Sequence, residues 1–128
     1  ISMQGLKHLA ALSALTVGTT ALAAGTTTQL LMRQKLENTH GLLEGLIRED
    51  YNLILKSATT LENISKATTW HKQDDASFLA RAQTFQNSAQ FLAEQARSKN
   101  LEGVAIGYMR ITLDCMQCHN FVREGRSK

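Results

Sequence analysis

Not one of the 128 residues is a proline. Average usage of about 5% would supply several, and each would break a helix interior or confine a strand to an edge. Their absence leaves long uninterrupted helices open to the chain. From residue 28 onward Ala, Leu, Gln, Glu, Lys and Arg dominate, and these residues lose little freedom when they enter a helix. A chain of this length forms one domain with enough interior to bury a core. The net charge is +3, from 14 Lys and Arg against 11 Asp and Glu. It is scattered, with no basic run interleaved with stacking aromatics, so nothing points to nucleic acid.

Apolar spacing divides the chain into four helices. From about Thr28 to Arg48, Met32, Leu36, Leu43 and Leu46–Ile47 recur three to four apart, interrupted by Gly41 and Gly45. Glu49 and Asp50 open a second helix, where acidic residues suit the positive end of the dipole. Its stripe is Tyr51, Ile54–Leu55, Ala58, Leu61 and Ile64. The stretch from Thr68 to Gln73 has no period and reads as a loop. Asp74 or Asp75 caps a third helix striped by Phe78, Ala82, Phe85, Ala89, Leu92 and Ala96, which Lys99 and Asn100 close. A fourth begins near Leu101, with Val104, Tyr108, Ile111, Cys115, Cys118–His119 and Val122 on one face. The expected fold is all-α: an antiparallel up-down four-helix bundle over residues 26–128.

Residues 1–25 read differently. Between Leu9 and Met32 there is no charge, and the apolar part from Leu9 to Ala24 is diluted by Ser13, Thr16, Gly18, Thr19 and Thr20. Lys7 and His8 precede it, and Ala21-Leu22-Ala23 has the small-x-small pattern of a cleavage site. A secretory signal peptide cut near Ala23 or Ala24 is the expected reading, which places the protein in the periplasm. The alternative is a retained anchor over residues 5–27, since the uncharged length spans a bilayer core of about 30 Å.

Near the other end stands Cys115-Met116-Gln117-Cys118-His119, which contains the only two cysteines of the chain. Two thiols separated by two residues, with an imidazole directly after, form the attachment signature of c-type haem. Each thiol adds to one vinyl group of the porphyrin, and the adjacent imidazole binds the iron from one face. A disulfide is disfavoured because side chains three apart on a helix diverge. Zinc would need two more ligands, and His8, His40 and His71 supply no second paired motif. The expected cofactor is one covalently bound haem c.

Helical phase places Cys115, Cys118 and His119 within an arc of about 100°. The haem then lies where helix four ends and helix one begins, beside the loop between helices two and three. That location ranks the candidates for the opposite face of the iron. Met32 sits at the haem end of helix one, and His71 is its rival in the neighbouring loop. His40 lies about 12 Å deeper at 1.5 Å per residue. Met109 shares a helix with His119, and Met116 points away. Trp70 is expected against the haem edge, and Arg33, Lys72, Arg123 and Arg126 are candidate partners of the propionates.

The pattern over about residues 28–126 resembles the class II c-type cytochromes: the cytochrome c-prime family and its low-spin, Met/His-ligated relatives. The resemblance is carried by the C-terminal motif at 115–119, Arg123 four residues after the histidine, and Met32-Arg33-Gln34 in helix one. Leu42-Leu43-Glu44-Gly45-Leu46 followed by Glu49-Asp50-Tyr51 is similar to a helix junction in small monohaem cytochromes of the planctomycete type. The family usually has an aromatic three residues after the haem histidine; here Phe121 comes second and Val122 third. The resemblance implies a periplasmic bundle, often dimeric through the first two helices. Members with a methionine from helix one are six-coordinate electron carriers, and those without bind NO or CO.

No nucleophile with a paired base appears in the sequence, so an enzyme is not expected. The expected function is single-electron transfer between redox partner proteins, with His119 and Met32 on the iron. Two alternatives stand beside it: a five-coordinate protein binding NO or CO, and a membrane-anchored haem subunit of a larger redox complex. A homodimer is also an expected state.

Overall fold

The computed structural model describes residues 23–69 and 74–126, and the regular structure among them is entirely helical. Four helices follow in order: α1 (Ala23–Arg48), α2 (Tyr51–Thr69), α3 (Ala76–Arg97) and α4 (Leu101–Arg126). Each packs against its neighbour in sequence, α4 returns beside α1, and among the described residues the backbones of no diagonal pair come into packing distance. The helices therefore stand as a ring of four around one core. The α2–α3 pair is the most extensively packed and the α1–α4 pair the least.

Two of the three connections use the same device. Glu49 and Lys99 have positive φ, 53° and 54°, in the left-handed region that ends helices. After α1, Asp50 N–H donates to Gly45 C=O at 2.8 Å and Glu49 N–H to Leu46 C=O at 3.5 Å. After α3, Asn100 N–H donates to Gln95 C=O at 2.9 Å and Lys99 N–H to Ala96 C=O at 3.1 Å. That paired pattern is the Schellman motif. The same two residues then cap the next helix: Asp50 Oδ1 accepts from Leu53 N–H at 3.0 Å, and Asn100 Oδ1 from Gly103 N–H at 3.1 Å. One residue thus ends one helix and starts another, so α1–α2 and α3–α4 are tight antiparallel hairpins. The third connection leads into α3 through Asp75, whose Oδ1 accepts from Phe78 N–H at 2.9 Å. The cap expected at Asp74 or Asp75 is therefore Asp75.

The core consists of Leu42, Ile54, Ala58, Leu61, Phe85, Ala89, Leu92, Ala93, Ala96, Val104 and Ile111. The stripes read for α2 and α3 are buried or half-buried as expected. A polar tie joins α2 and α3 in the core: Gln86 Nε2 donates to Ser65 Oγ at 3.2 Å, and Ser65 Oγ to Ala82 C=O at 3.5 Å.

Helix α1 departs from the sequence reading in two ways. It begins at Ala23, upstream of the expected Thr28. Its fully buried side chain is Leu42, and Met32 and Leu46 of the expected stripe are half-buried, whereas Leu36, Leu43 and Ile47 are 57%, 40% and 75% exposed. The inward positions of α1 also include Lys35, Asn38 and Thr39, all half-buried, so apolarity marks the inner face of this helix only in part. Among the described residues no helix is long and apolar enough to cross a membrane. The proposed leader or anchor lies largely outside the described residues.

Candidate functional site

A cleft of about 200 Å³ opens at one end of the bundle. Helix α1 contributes Thr28, Met32 and Lys35; α4 contributes Asp114, Cys115, Cys118, His119 and Val122. Its floor is made by Ser65 and Thr68 at the end of α2 and by Phe78, Arg81, Ala82 and Phe85 at the start of α3. Those segments converge because up-down order brings the start of α1, the end of α2, the start of α3 and the end of α4 to one end.

Phase explains which α4 side chains reach the cleft. At about 100° per residue, Cys115 and Cys118 fall close to the direction of Val104 and Ile111, the two fully buried residues of this helix. His119 lies about 60° round toward α1, which leaves it exposed overall while still lining the cleft. Met32 is displaced toward α4 by a similar angle from Leu42. The thioether and the imidazole thus approach one cleft from opposite walls. Met116 and Met109, at 56% and 65% exposure, point out of it.

Both thiols are free and half-buried. Burial pushes the Cys115 thiol above its ordinary value, the nearby Lys35 ammonium opposes this, and Asp114 adds to it. Lys35 itself is held below the usual lysine range by burial, against the pull of Cys118 and Cys115. Its Nζ lies 4.6 Å from the centre of the Phe85 ring. Arg81 stacks on Phe121, 4.8 Å from guanidinium carbon to ring centre. Two buried polar atoms on the cleft wall, Arg81 Nε and Asp114 Oδ2, have no hydrogen-bond partner among the described residues. Such groups are costly to leave unpaired, and a polar ligand group in the cleft would complete them.

The structure brings together Cys115, Cys118, His119 and Met32. It does not bring Arg33 or Arg123 to the cleft. Arg33 is exposed, because one residue past Met32 rotates a side chain by about 100°. Arg123 is exposed and donates to Asn120 Oδ1 one turn back. The cations on the cleft wall are Lys35 and Arg81, which the sequence reading did not select. The available signal was phase: Lys35 follows Met32 by three residues, and Arg81 follows Phe78 by three, so each shares a face with a residue already placed inward. Phe121 turns to α3 under Arg81, and Val122 takes the cleft position. Trp70, His71 and Lys72 lie outside the described residues, and so does the side chain of Arg126.

A second hollow of about 450 Å³ lies at the opposite end, lined by Arg48, Glu49, Asp50, Tyr51, Asn52 and Lys99. It is larger but shallow and polar, formed where the two Schellman turns meet the solvent, and it holds no thiol or imidazole. Among the described residues no group of three or more His, Cys, Asp or Glu could hold a bare metal ion. No protein-family model, curated protein or solved structure matches the chain.

Proposed function

We propose that the chain is a monohaem c-type cytochrome of the exported compartment that passes single electrons between redox partner proteins. The observation that carries this reading is the convergence of Cys115, Cys118, His119 and Met32 on one cleft walled by apolar side chains. Haem c, once bound, supplies a one-electron iron couple whose potential its axial ligands tune. The roles of the chain's own residues follow from their positions. Cys115 and Cys118 anchor the porphyrin edge, one turn apart on α4. His119 and Met32 would be the two residues that hold the iron. Phe78, Phe85 and Val122 keep water from the macrocycle. Lys35 and Arg81 offer the carboxylates of the porphyrin a charge-assisted partner, which would also satisfy Arg81 Nε.

A haem is bulkier than the present cleft, so its insertion must push a pair of helices apart. The pair that can separate most readily is α1 and α4, which touch least. If both the Met32 thioether and the His119 imidazole held the iron, electron exchange would need little rearrangement. That preference separates a carrier from a gas-binding protein, whose far face must stay open.

The test is spectroscopic. The purified protein should carry covalent haem that Cys115→Ala and Cys118→Ala together abolish. Its ferrous form should be low-spin and indifferent to CO, while Met32→Ala should become high-spin and bind CO. A wild-type ferrous protein that is already high-spin and shifts on adding CO would remove Met32 from the iron and favour NO or CO binding.

A further inference from the structure

The outer side of the α1–α4 seam carries an apolar surface that the haem reading does not use. On α4, Ile106, Met109, Leu113 and Met116 are 50%, 65%, 52% and 56% exposed. Their spacing of three, four and three residues makes a continuous stripe. On α1, Leu36, Leu43 and Ile47 are exposed to 57%, 40% and 75%.

Four glycines fix the sides of the two helices. A Cβ at Gly41 would lie 2.6 Å from Ser57 Oγ, and one at Gly45 2.6 Å from Ile54 Cγ1, so that flank of α1 faces α2. A Cβ at Gly103 would meet Gln95, and one at Gly107 would meet Leu92, so that flank of α4 faces α3. Leu36, Leu43 and Ile47 lie on the opposite flank of α1 from its two glycines, which is the α4 side. The α4 stripe points outward and leans to the α1 side by the same reckoning. Both stripes therefore border one seam and form one surface.

We propose that this α1–α4 surface is where a second copy of the chain docks, two-fold related, building an intermolecular layer of four helices. Three features select a copy of itself as the occupant. First, the seven side chains expose about 700 Å² of largely apolar surface, more than a monomer ordinarily leaves in one patch and close to the roughly 800 Å² per partner of a standard interface. Second, the two stripes run antiparallel over the same length, about 16 Å at 1.5 Å per residue, which lets the surface match its own image across a two-fold axis. Third, the outward face of α4 carries no charge between Glu102 and Arg123: Arg110 is drawn aside over Phe91, 4.3 Å from its ring centre. A two-fold contact sets each charge near the axis against its own image, so an uncharged centre is what self-association needs. The interface differs from the pairing through the first two helices that the resemblance implies, and it stands independently of the haem.

Sedimentation equilibrium on the protein as the cell processes it tests this. The wild type should sediment with twice the chain mass at micromolar concentration. Leu113→Glu should raise the dimer dissociation constant at least about 100-fold, since it buries a charge against its own image. Met109→Lys should do the same, with unchanged far-ultraviolet circular dichroism in both variants. Thr59→Glu on the exposed face of α2 should leave the dimer intact. A monomeric wild type would overturn the proposal, whether a foreign protein or residues 1–22 covers the seam. So would a dimer that survives both seam variants, or one that Thr59→Glu dissolves.

Discussion

Gly107→Ala tests most directly how α4 is seated, and with it the phase that aims Cys115, Cys118 and His119. A Cβ at Gly107 would lie 2.6 Å from Leu92 Cγ, 2.8 Å from Leu92 Cδ2 and 3.2 Å from Phe91 Cδ1. Leu92 is fully buried in the core and has nowhere to withdraw. Overpacking of this kind costs about 1–3 kcal/mol, while replacing Gly by Ala inside a helix returns about 1 kcal/mol. Packing should win, for a net loss of up to about 2 kcal/mol, or a fall of up to roughly 10 °C in Tm for a domain of this size. Gly125→Ala is the control, because nothing among the described residues lies within 4 Å of a Cβ there. It should be neutral or mildly stabilising. Thermal melts of the three proteins followed by far-ultraviolet circular dichroism give the answer. A Gly107→Ala protein as stable as Gly125→Ala would mean that α4 does not press on Leu92, and the register of the cleft would need redrawing.

Two further outcomes follow from local chemistry. Burial holds Lys35 below its ordinary pKa, so between the folded and unfolded values the unfolded chain binds more protons, and stability rises with pH across that window. Below the window the charged amine is a standing penalty in the haem-free protein, so Lys35→Met should stabilise that form by about 1 kcal/mol at neutral pH and by less at strongly alkaline pH. Urea unfolding at both pH values checks this, and an equal gain at both would refute it. Lys99 holds φ 54° at the end of α3, a conformation that costs an L-residue roughly 1 kcal/mol and glycine almost nothing. Lys99→Gly should raise the urea midpoint by up to about 1 kcal/mol in stability, and an unchanged or lower midpoint would show that the turn carries no such strain.

The sequence was most legible where one apolar stripe dominates a helix. Phe78, Ala82, Phe85, Ala89, Leu92 and Ala96 on α3 have no competing set, and all are buried. On α4 the buried and exposed apolar rows are both present, and phase from Cys115 resolved them because the motif's own chemistry named the inward direction. Helix α1 had no such marker. Its apolar residues fall on both sides: Leu36, Leu43 and Ile47 are exposed, while Leu31, Met32, Leu42 and Leu46 share the inward side with Lys35, Asn38 and Thr39. A reading that equates apolar with buried mixes the two rows, as the stripe Met32, Leu36, Leu43 and Leu46–Ile47 does. Lys35 was missed because a lysine amid an apolar pattern reads as solvent-facing, although it shares a face with Met32 three residues earlier. Met32 was legible because its position along the bundle, and not apolarity alone, singles it out.

These departures have one physical source. A cleft at the start of α1 and the end of α4 separates the two helices, so their facing sides line an opening instead of a packed interior. Side chains on such a wall need not be apolar, which admits Lys35 and Asp114 to positions that a filled core would reject. With few interhelical contacts between them, α1 and α4 also leave large side chains uncovered on the outer edge of the seam. An open inner wall and an apolar outer border are thus two sides of one weakly packed pair. A second copy seated on that border would tie together the two helices that carry Met32 and His119. Opening of the cleft would then be opposed by the interface as well as by the bundle. In the Leu113→Glu monomer α1 and α4 should therefore separate more readily, and amide hydrogen exchange along residues 28–35 and 114–122 should quicken relative to the α2–α3 core. Equal exchange in the dimer and the monomer would show that the seam and the cleft act independently.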